Sequence, residues 1–197
     1  MGRPVCGDLD AAERREWLAT NGLGGFASGT VAGTLTRRYH GLLVAALRPP
    51  VERTLLVTKI DETVRYRGVD YELAANRWPN GYVAPRGFTN IERFYLDATT
   101  PVWEFALADA ILEKRVWMEP GANVTYVRYR VLRAASPLDL SLRVLTNYRD
   151  FHANTHAGDW RVEITSSSPR GLRIDAFAGS RPYWIAADSG NLTVENV

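Results

Sequence analysis

With 197 residues, 46% of them hydrophobic, the chain is long enough to bury a sizeable core, and it fits one large β domain better than two small domains. Its 24 basic and 22 acidic residues leave a formal charge of +2, too balanced for a nucleic-acid binder, and the single cysteine, Cys6, excludes an intrachain disulfide and a zinc cluster built on thiolates. Met1 to Trp17 contain no apolar signal-peptide core and no later stretch approaches the ~20 apolar residues that span a bilayer, so a cytoplasmic protein with no membrane partner is expected.

In chain order, Ala11–Leu18 is the one segment that fits a short amphipathic helix, although the same residues can lead straight into a first strand. Asn21-Gly22-Leu23-Gly24-Gly25 follows. Its glycines suit a tight turn with positive φ, and the amide of Asn21 can either bond its own backbone or face a ligand hydroxyl. A phosphate cradle is the weaker reading of these glycines, because no Gly-Lys-Ser/Thr follows and no βαβ strand leads in. Thr36-Arg37-Arg38-Tyr39-His40-Gly41 then opens an apolar run. Alternation there sets Arg37 and Tyr39 on one side and Arg38 and His40 on the other, so one pair faces inward or into an interface, where a buried arginine requires a partner. His40–Leu47 and Arg53–Ile60 read as strands buried on both faces.

Ala74–Gly87 has no periodicity and reads as an ordered surface loop, with Trp78 and Tyr82 among Asn76, Arg77, Asn80 and Arg86. Beyond Val102 the pattern alternates with period two. Trp103–Leu107 is a strand, and Ile111–Met118 and Asn123–Leu132 form a hairpin whose Pro120-Gly121 suits a type II turn. Val127, Tyr129 and Val131 share one face, as do Leu138, Leu140, Leu142 and Val144, which is the mark of antiparallel strands with one wet side. Arg161–Thr165, Leu172–Phe177, Tyr183–Ala187 and Leu192–Glu195 complete the set. An all-β fold follows, a large antiparallel two-sheet sandwich over residues 1–197, with Trp103, Trp117 and Trp184 expected in its core. Strand patterning that runs to Val197 predicts a chain truncated within or at the edge of that domain. His152 and His156, beside Asp150 and Asp159, have the i, i+4 spacing of a helical metal pair, but Asn154, Thr155 and Gly158 argue for a loop, so no metal is expected. Asp61 and Glu62 point to opposite faces of their strand and make no acid/base pair.

Two segments go further. Glu16–Pro49, EWLATNGLGGFASGTVAGTLTRRYHGLLVAALRP, and Asn147-Tyr148-Arg149-Asp150-Phe151-His152 resemble the amino-terminal domain of bacterial and archaeal glycogen debranching enzymes, most densely over Glu16–Val64. The resemblance implies a galactose-mutarotase-like supersandwich that accompanies a separate helical barrel. The barrel would supply both carboxylates for hydrolysis of α-1,6 branch points, leaving no catalytic residue and no cofactor here. The implied partners are that barrel and an α-glucan, glycogen or a malto-oligosaccharide. On this reading Arg37, Arg38, Tyr39 and His40 buttress the junction with the barrel. An internal salt bridge to Asp61 or Glu62 and direct sugar contact are the alternatives. Trp78 and Tyr82 would meet the glucan, as would Asn21 if its amide faces a hydroxyl. Two other function classes remain: an autonomous carbohydrate-binding module, and a mutarotase-like enzyme, for which His40, His152 and His156 are the only histidines available.

Overall fold

Strands with alternating burial dominate the computed structural model, which describes residues 1–155 and 162–194. The chain divides into two units, Met1–Asn154 and Thr155–Val197. The first opens with two short helical turns, α1 (Arg3–Cys6) and α2 (Leu9–Glu13). The Asp8 carboxylate starts α2 by accepting from the Ala11 N–H at 2.7 Å. The helical pattern then yields to a strand, because Trp17 and Ala19 are both buried and only period two places both on one face.

The strands of this unit are β1 (Glu16–Thr20), β2 (Phe26–Thr30), β3 (Gly41–Arg48), β4 (Val51–Tyr66), β5 (Val69–Glu72), β6 (Ala75–Arg77), β7 (Val83–Arg86), β8 (Ile91–Asp97), β9 (Thr100–Leu107), β10 (Ala110–Met118), β11 (Thr125–Arg133) and β12 (Leu138–Asp150). They form an antiparallel sheet ordered β1-β2-β3-β4-β12, with β5 also on β4, a second sheet ordered β11-β10-β9-β8, and a small β6-β7 hairpin. In the second unit β13 (Glu163–Ser168), β14 (Gly171–Asp175) and β15 (Tyr183–Ala186) make a three-stranded antiparallel sheet. The expectation of an all-β, antiparallel, sandwich-like fold is met.

In the first unit the two larger sheets meet through aromatic and apolar side chains. Trp17 of β1 sits edge-on to Trp103 of β9 at 5.4 Å, and the Trp103 indole donates to the Val31 carbonyl at 3.0 Å. Val44, Leu55, Val64, Ile91, Phe105, Leu112 and Val116 are buried with them, each worth roughly 1.5–3 kcal/mol. Gly29 is where Trp17 presses on β2, since a Cβ there would lie 3.2 Å from the indole nitrogen.

Charge is buried here too. Glu62 of β4 takes hydrogen bonds from Lys114 of β10 and, at 2.7 Å, from the Tyr129 hydroxyl of β11. Burial, reinforced by the Glu62 carboxylate, pushes the Tyr129 phenol well above its usual range, so it acts as a donor. Asp61 faces the other way and pairs with Lys59 at 2.8 Å and Asn76 at 3.1 Å, so the two neighbouring carboxylates do diverge. On the opposite side of β10, Glu113 gathers Arg115, Arg130 and Arg128 at 3.0, 3.4 and 3.7 Å. Burial opposes its ionisation, but the arginines outweigh that and hold its carboxyl below the usual range.

The expected β10–β11 hairpin is present, with Gly121 at φ +76° and a turn-closing bond from Ala122 N–H to the Glu119 carbonyl at 3.3 Å. Four expectations need correction. Ala74–Gly87 contains the β6-β7 hairpin rather than a strandless loop, because strands of three and four residues are too short to show a period. Trp117 lies half-buried on the outer face of β10, stacked on Tyr126 at 5.1 Å, and Trp184 is exposed, so Trp103 alone of the three is core. Leu192–Val194, the described part of the last expected strand, is not a strand, and the Arg161 end of Arg161–Thr165 lies outside the described residues.

Replacing Lys114 with alanine leaves the Glu62 carboxylate buried without its cation and should cost about 3–5 kcal/mol in urea unfolding. A Lys114→Met/Glu62→Gln double variant should recover much of that loss. Equal stability of Lys114→Ala and the unmodified chain would show that the pair is not a buried one in solution.

Candidate functional site

Asn21 sits at the end of β1 and is buried. Its carbonyl oxygen accepts from the Leu23 and Gly25 N–H groups at 2.9 and 3.0 Å, and its amide nitrogen donates to the Ala122 carbonyl and the Asn123 Oδ1 at 3.0 and 2.9 Å. The side chain is therefore fully used inside the protein. Of its two readings, the structure favours the bond to its own turn over contact with a hydroxyl. The same bonds close the phosphate-cradle reading, because the turn N–H groups of Leu23 and Gly25 already point at Asn21. Gly25 has no space for a Cβ, which would lie 2.6 Å from the Asn21 amide.

Residues 36–40 form a turn instead of an alternating strand entrance, closed by a bond from His40 N–H to the Arg37 carbonyl at 3.1 Å. Only His40 is buried, at 3% exposure, while Arg37, Arg38 and Tyr39 lie at the surface. The Thr36 N–H donates to His40 Nδ1 at 3.2 Å, which places the ring proton on Nε2, facing Glu16 Oε1 at 3.5 Å. Burial lowers the His40 pKa; Glu16 opposes the shift and Arg37 adds to it. Arg37 bonds Glu16 at 2.5 Å, so its partner is neither Asp61 nor Glu62, whose partners lie inside the fold.

The two segments singled out in the sequence come together at this turn. Arg38 donates to the His152 carbonyl at 2.7 Å, Arg149 donates to the Arg38 carbonyl at 2.6 Å, and the Tyr39 hydroxyl lies 3.2 Å from His152 Nδ1. Phe151 packs against Tyr39 and Phe26, at 5.5 and 6.5 Å between ring centres, with the Arg53 guanidinium 5.5 Å from its ring. His152 lies in a turn whose Asp150 carboxylate accepts from its N–H at 2.8 Å; His156 and Asp159 lie outside the described residues. Among the described residues no three His, Cys, Asp or Glu side chains gather as metal ligands.

Trp78 and Tyr82 stand at the tip of the β6-β7 hairpin and are 54% and 62% exposed. The tip is nevertheless ordered. The Trp78 indole donates to the Ala84 carbonyl at 3.1 Å, and Trp78 N–H and Gly81 N–H bond the Tyr82 and Trp78 carbonyls, both at 2.8 Å. Arg77 braces it, with two nitrogens on the Glu13 carboxylate at 3.2 and 2.5 Å and a third on the Gly81 carbonyl at 3.0 Å. Glu13 also accepts from Thr34 Oγ1 at 2.8 Å and lines an open cleft of about 450 Å³ with Asp10, Arg14, Glu16, Thr36 and Arg37. Sequence reasoning missed Glu13, Glu16, Asp10 and Arg14, which belong to the helix-to-strand passage ahead of the residues it singled out. Glu13 and Glu16 are each clasped by an arginine, the wiring of structural ion pairs.

A family model described as glycogen debranching enzyme N terminal matches residues 15–197. The chain belongs to that family. Comparison with the curated proteins and with the solved structures gives no significant match. The debranching-enzyme N-terminal match runs through the Asn21 turn, the Arg38–His152 latch and the Trp78 hairpin, and starts just after α2, the element that supplies Glu13. Among the described residues no helix is long and apolar enough to cross a membrane.

Because His40 titrates lower folded than unfolded, the unfolded chain binds the extra proton. Its contribution to stability is complete above the unfolded pKa of about 6.5 and is lost as pH falls from there toward the folded value. Thermal unfolding between pH 7.5 and 5 should therefore show a smaller loss of stability in His40→Asn, whose amide oxygen can still accept from Thr36, than in the unmodified chain.

Proposed function

We propose that residues 1–197 form a non-catalytic N-terminal domain of a cytoplasmic glycogen debranching enzyme, one that docks on a separate catalytic domain and presents the Trp78–Tyr82 hairpin to an α-glucan. Support for membership comes from the family match, which spans both units of the chain. The glucan reading rests on one observation above the rest: a tryptophan more than half exposed whose indole N–H is already bonded, so that the ring is held still with much of its surface free. Glucose rings have apolar faces of C–H bonds that stack on such a surface, and a fixed ring loses little entropy when they do. A docking role fits the exposed Arg38, Tyr39 and His152, whose mutual bonds hold them rigid at one surface. Hydrolysis of α-1,6 branch points would then fall to the catalytic domain.

An autonomous module differs from a docking domain in needing no barrel to hold glucan. Migration of the purified chain through native gels with and without embedded glycogen separates the two. Glycogen should retard the chain, and Trp78→Ala and Tyr82→Ala should each weaken the effect roughly fivefold, the equivalent of about 1 kcal/mol of stacking. Absence of retardation in the unmodified chain would remove independent glucan binding and leave the docking role alone.

A further inference from the structure

Between α2, the start of β1 and the Thr36–Arg37 turn lies the cleft of about 450 Å³, within the range of roughly 300–1,000 Å³ common for small-molecule sites. Its six lining residues, Asp10, Glu13, Arg14, Glu16, Thr36 and Arg37, are all polar or charged. Three of the five lining charges are already spent, Glu16 and Arg37 on each other at 2.5 Å and Glu13 on Arg77 at 2.5 Å. Asp10 and Arg14 are exposed, carry opposite charges, and make no side-chain hydrogen bond or salt bridge among the described residues. Such a cleft offers many donors and acceptors with little net charge, and no large apolar wall.

We propose that this cleft is a binding site for a neutral polyhydroxylated ligand, a short run of glucosyl units, with Asp10 and Arg14 as its free hydrogen-bonding groups and the two ion pairs as its fixed walls. An isolated anion or cation suits it poorly, because each charge of one sign has a neighbour of the other. A sugar suits it, because every hydroxyl both donates and accepts and so can use carboxylate and guanidinium alike. Glu13 connects the cleft to the Trp78 hairpin: the carboxylate that lines the cleft also holds Arg77, which bonds the Gly81 carbonyl in the hairpin tip. One glucan chain could then lay its polar edges in the cleft and stack a ring on Trp78. The inference rests on the glucan reading of the hairpin, and its ligand class is the same.

Amide and side-chain N–H resonances of the ¹⁵N-labelled 197-residue chain, titrated with maltotriose and separately with inorganic phosphate, test it. Maltotriose should shift the Glu13, Thr36 and Arg37 signals along one saturating curve with the Trp78 indole N–H, and phosphate should leave the cleft signals in place. Arg14→Ala, which removes no internal bond, should weaken maltotriose binding roughly tenfold or more, the loss of one hydrogen bond to a charged group. Movement of the indole alone would overturn the cleft proposal and leave the hairpin reading standing. Cleft shifts without the indole would keep the cleft and remove the hairpin. A cleft that answers to phosphate and not to maltotriose would be an anion site, and the proposal would fall.

Discussion

The frame depends on a pair of amides, the buried Asn21 and the half-buried Asn123. Asn21 closes the β1–β2 turn with its oxygen and reaches the β10–β11 turn with its nitrogen, where Asn123 accepts and passes the contact on to both the N–H and the carbonyl of Ala46 in β3. Three strand ends from two sheets are tied by two side chains, at a point where the backbone has no ladder partner of its own. Gly121 N–H adds a bond to the Asn21 carbonyl at 2.8 Å, and the close approach explains why Gly25 cannot carry a side chain. Stacking of apolar faces is non-directional. The amide clasp supplies the direction, fixing which end of the four-stranded sheet meets which end of the larger one.

Strand β4 carries that order to the surface. Its neighbouring carboxylates diverge, Glu62 inward to Lys114 and Tyr129, and Asp61 toward Lys59 and Asn76. Lys59 also donates to the Ala75 carbonyl at 2.9 Å, so the root of the β6-β7 hairpin is anchored to the central strand. Arg77 and Glu13 then brace the tip from the other side. An exposed aromatic residue on an unbraced loop would have to be ordered at each binding event. Here the ordering is done on folding, by charged groups whose internal partners are all in place.

How much of this was legible in the sequence depended on whether a residue's role was local. Pro120-Gly121 announced its turn because the required φ values belong to those two residues alone, and the alternation of Leu138–Val144 was visible in the sequence although its apolar face is only half-covered and Leu142 on it is exposed. Strand β8 was invisible for the opposite reason: a register shift between Ile91 and Arg93 breaks the alternation there. Strand β2 was missed because four of its five residues, Ala27–Thr30, are small, and Gly29 among them lies under Trp17. An arginine of the Arg37-Arg38 pair was expected to be buried on a carboxylate, but Arg37 lies at the surface and meets Glu16, twenty-one positions earlier, which becomes its neighbour only once β1 and the turn after β2 are side by side. The meeting of Arg38 with His152 spans 114 positions, and nothing in either segment alone specifies the other.

The distribution of paired charge also bears on which chemistry the surface can perform. A glycosidase acid must hold its proton near neutral pH, which calls for burial without a cation close by. In the described part of this protein the buried carboxylates do the reverse: Glu62 faces Lys114, Glu104 takes two bonds from Arg93 at 2.7 and 2.6 Å, and Glu113 faces three arginines. Each of these carboxylates is paired with a cation and spent on structure. Acids paired in this way brace the frame, because their charge is matched where it is buried.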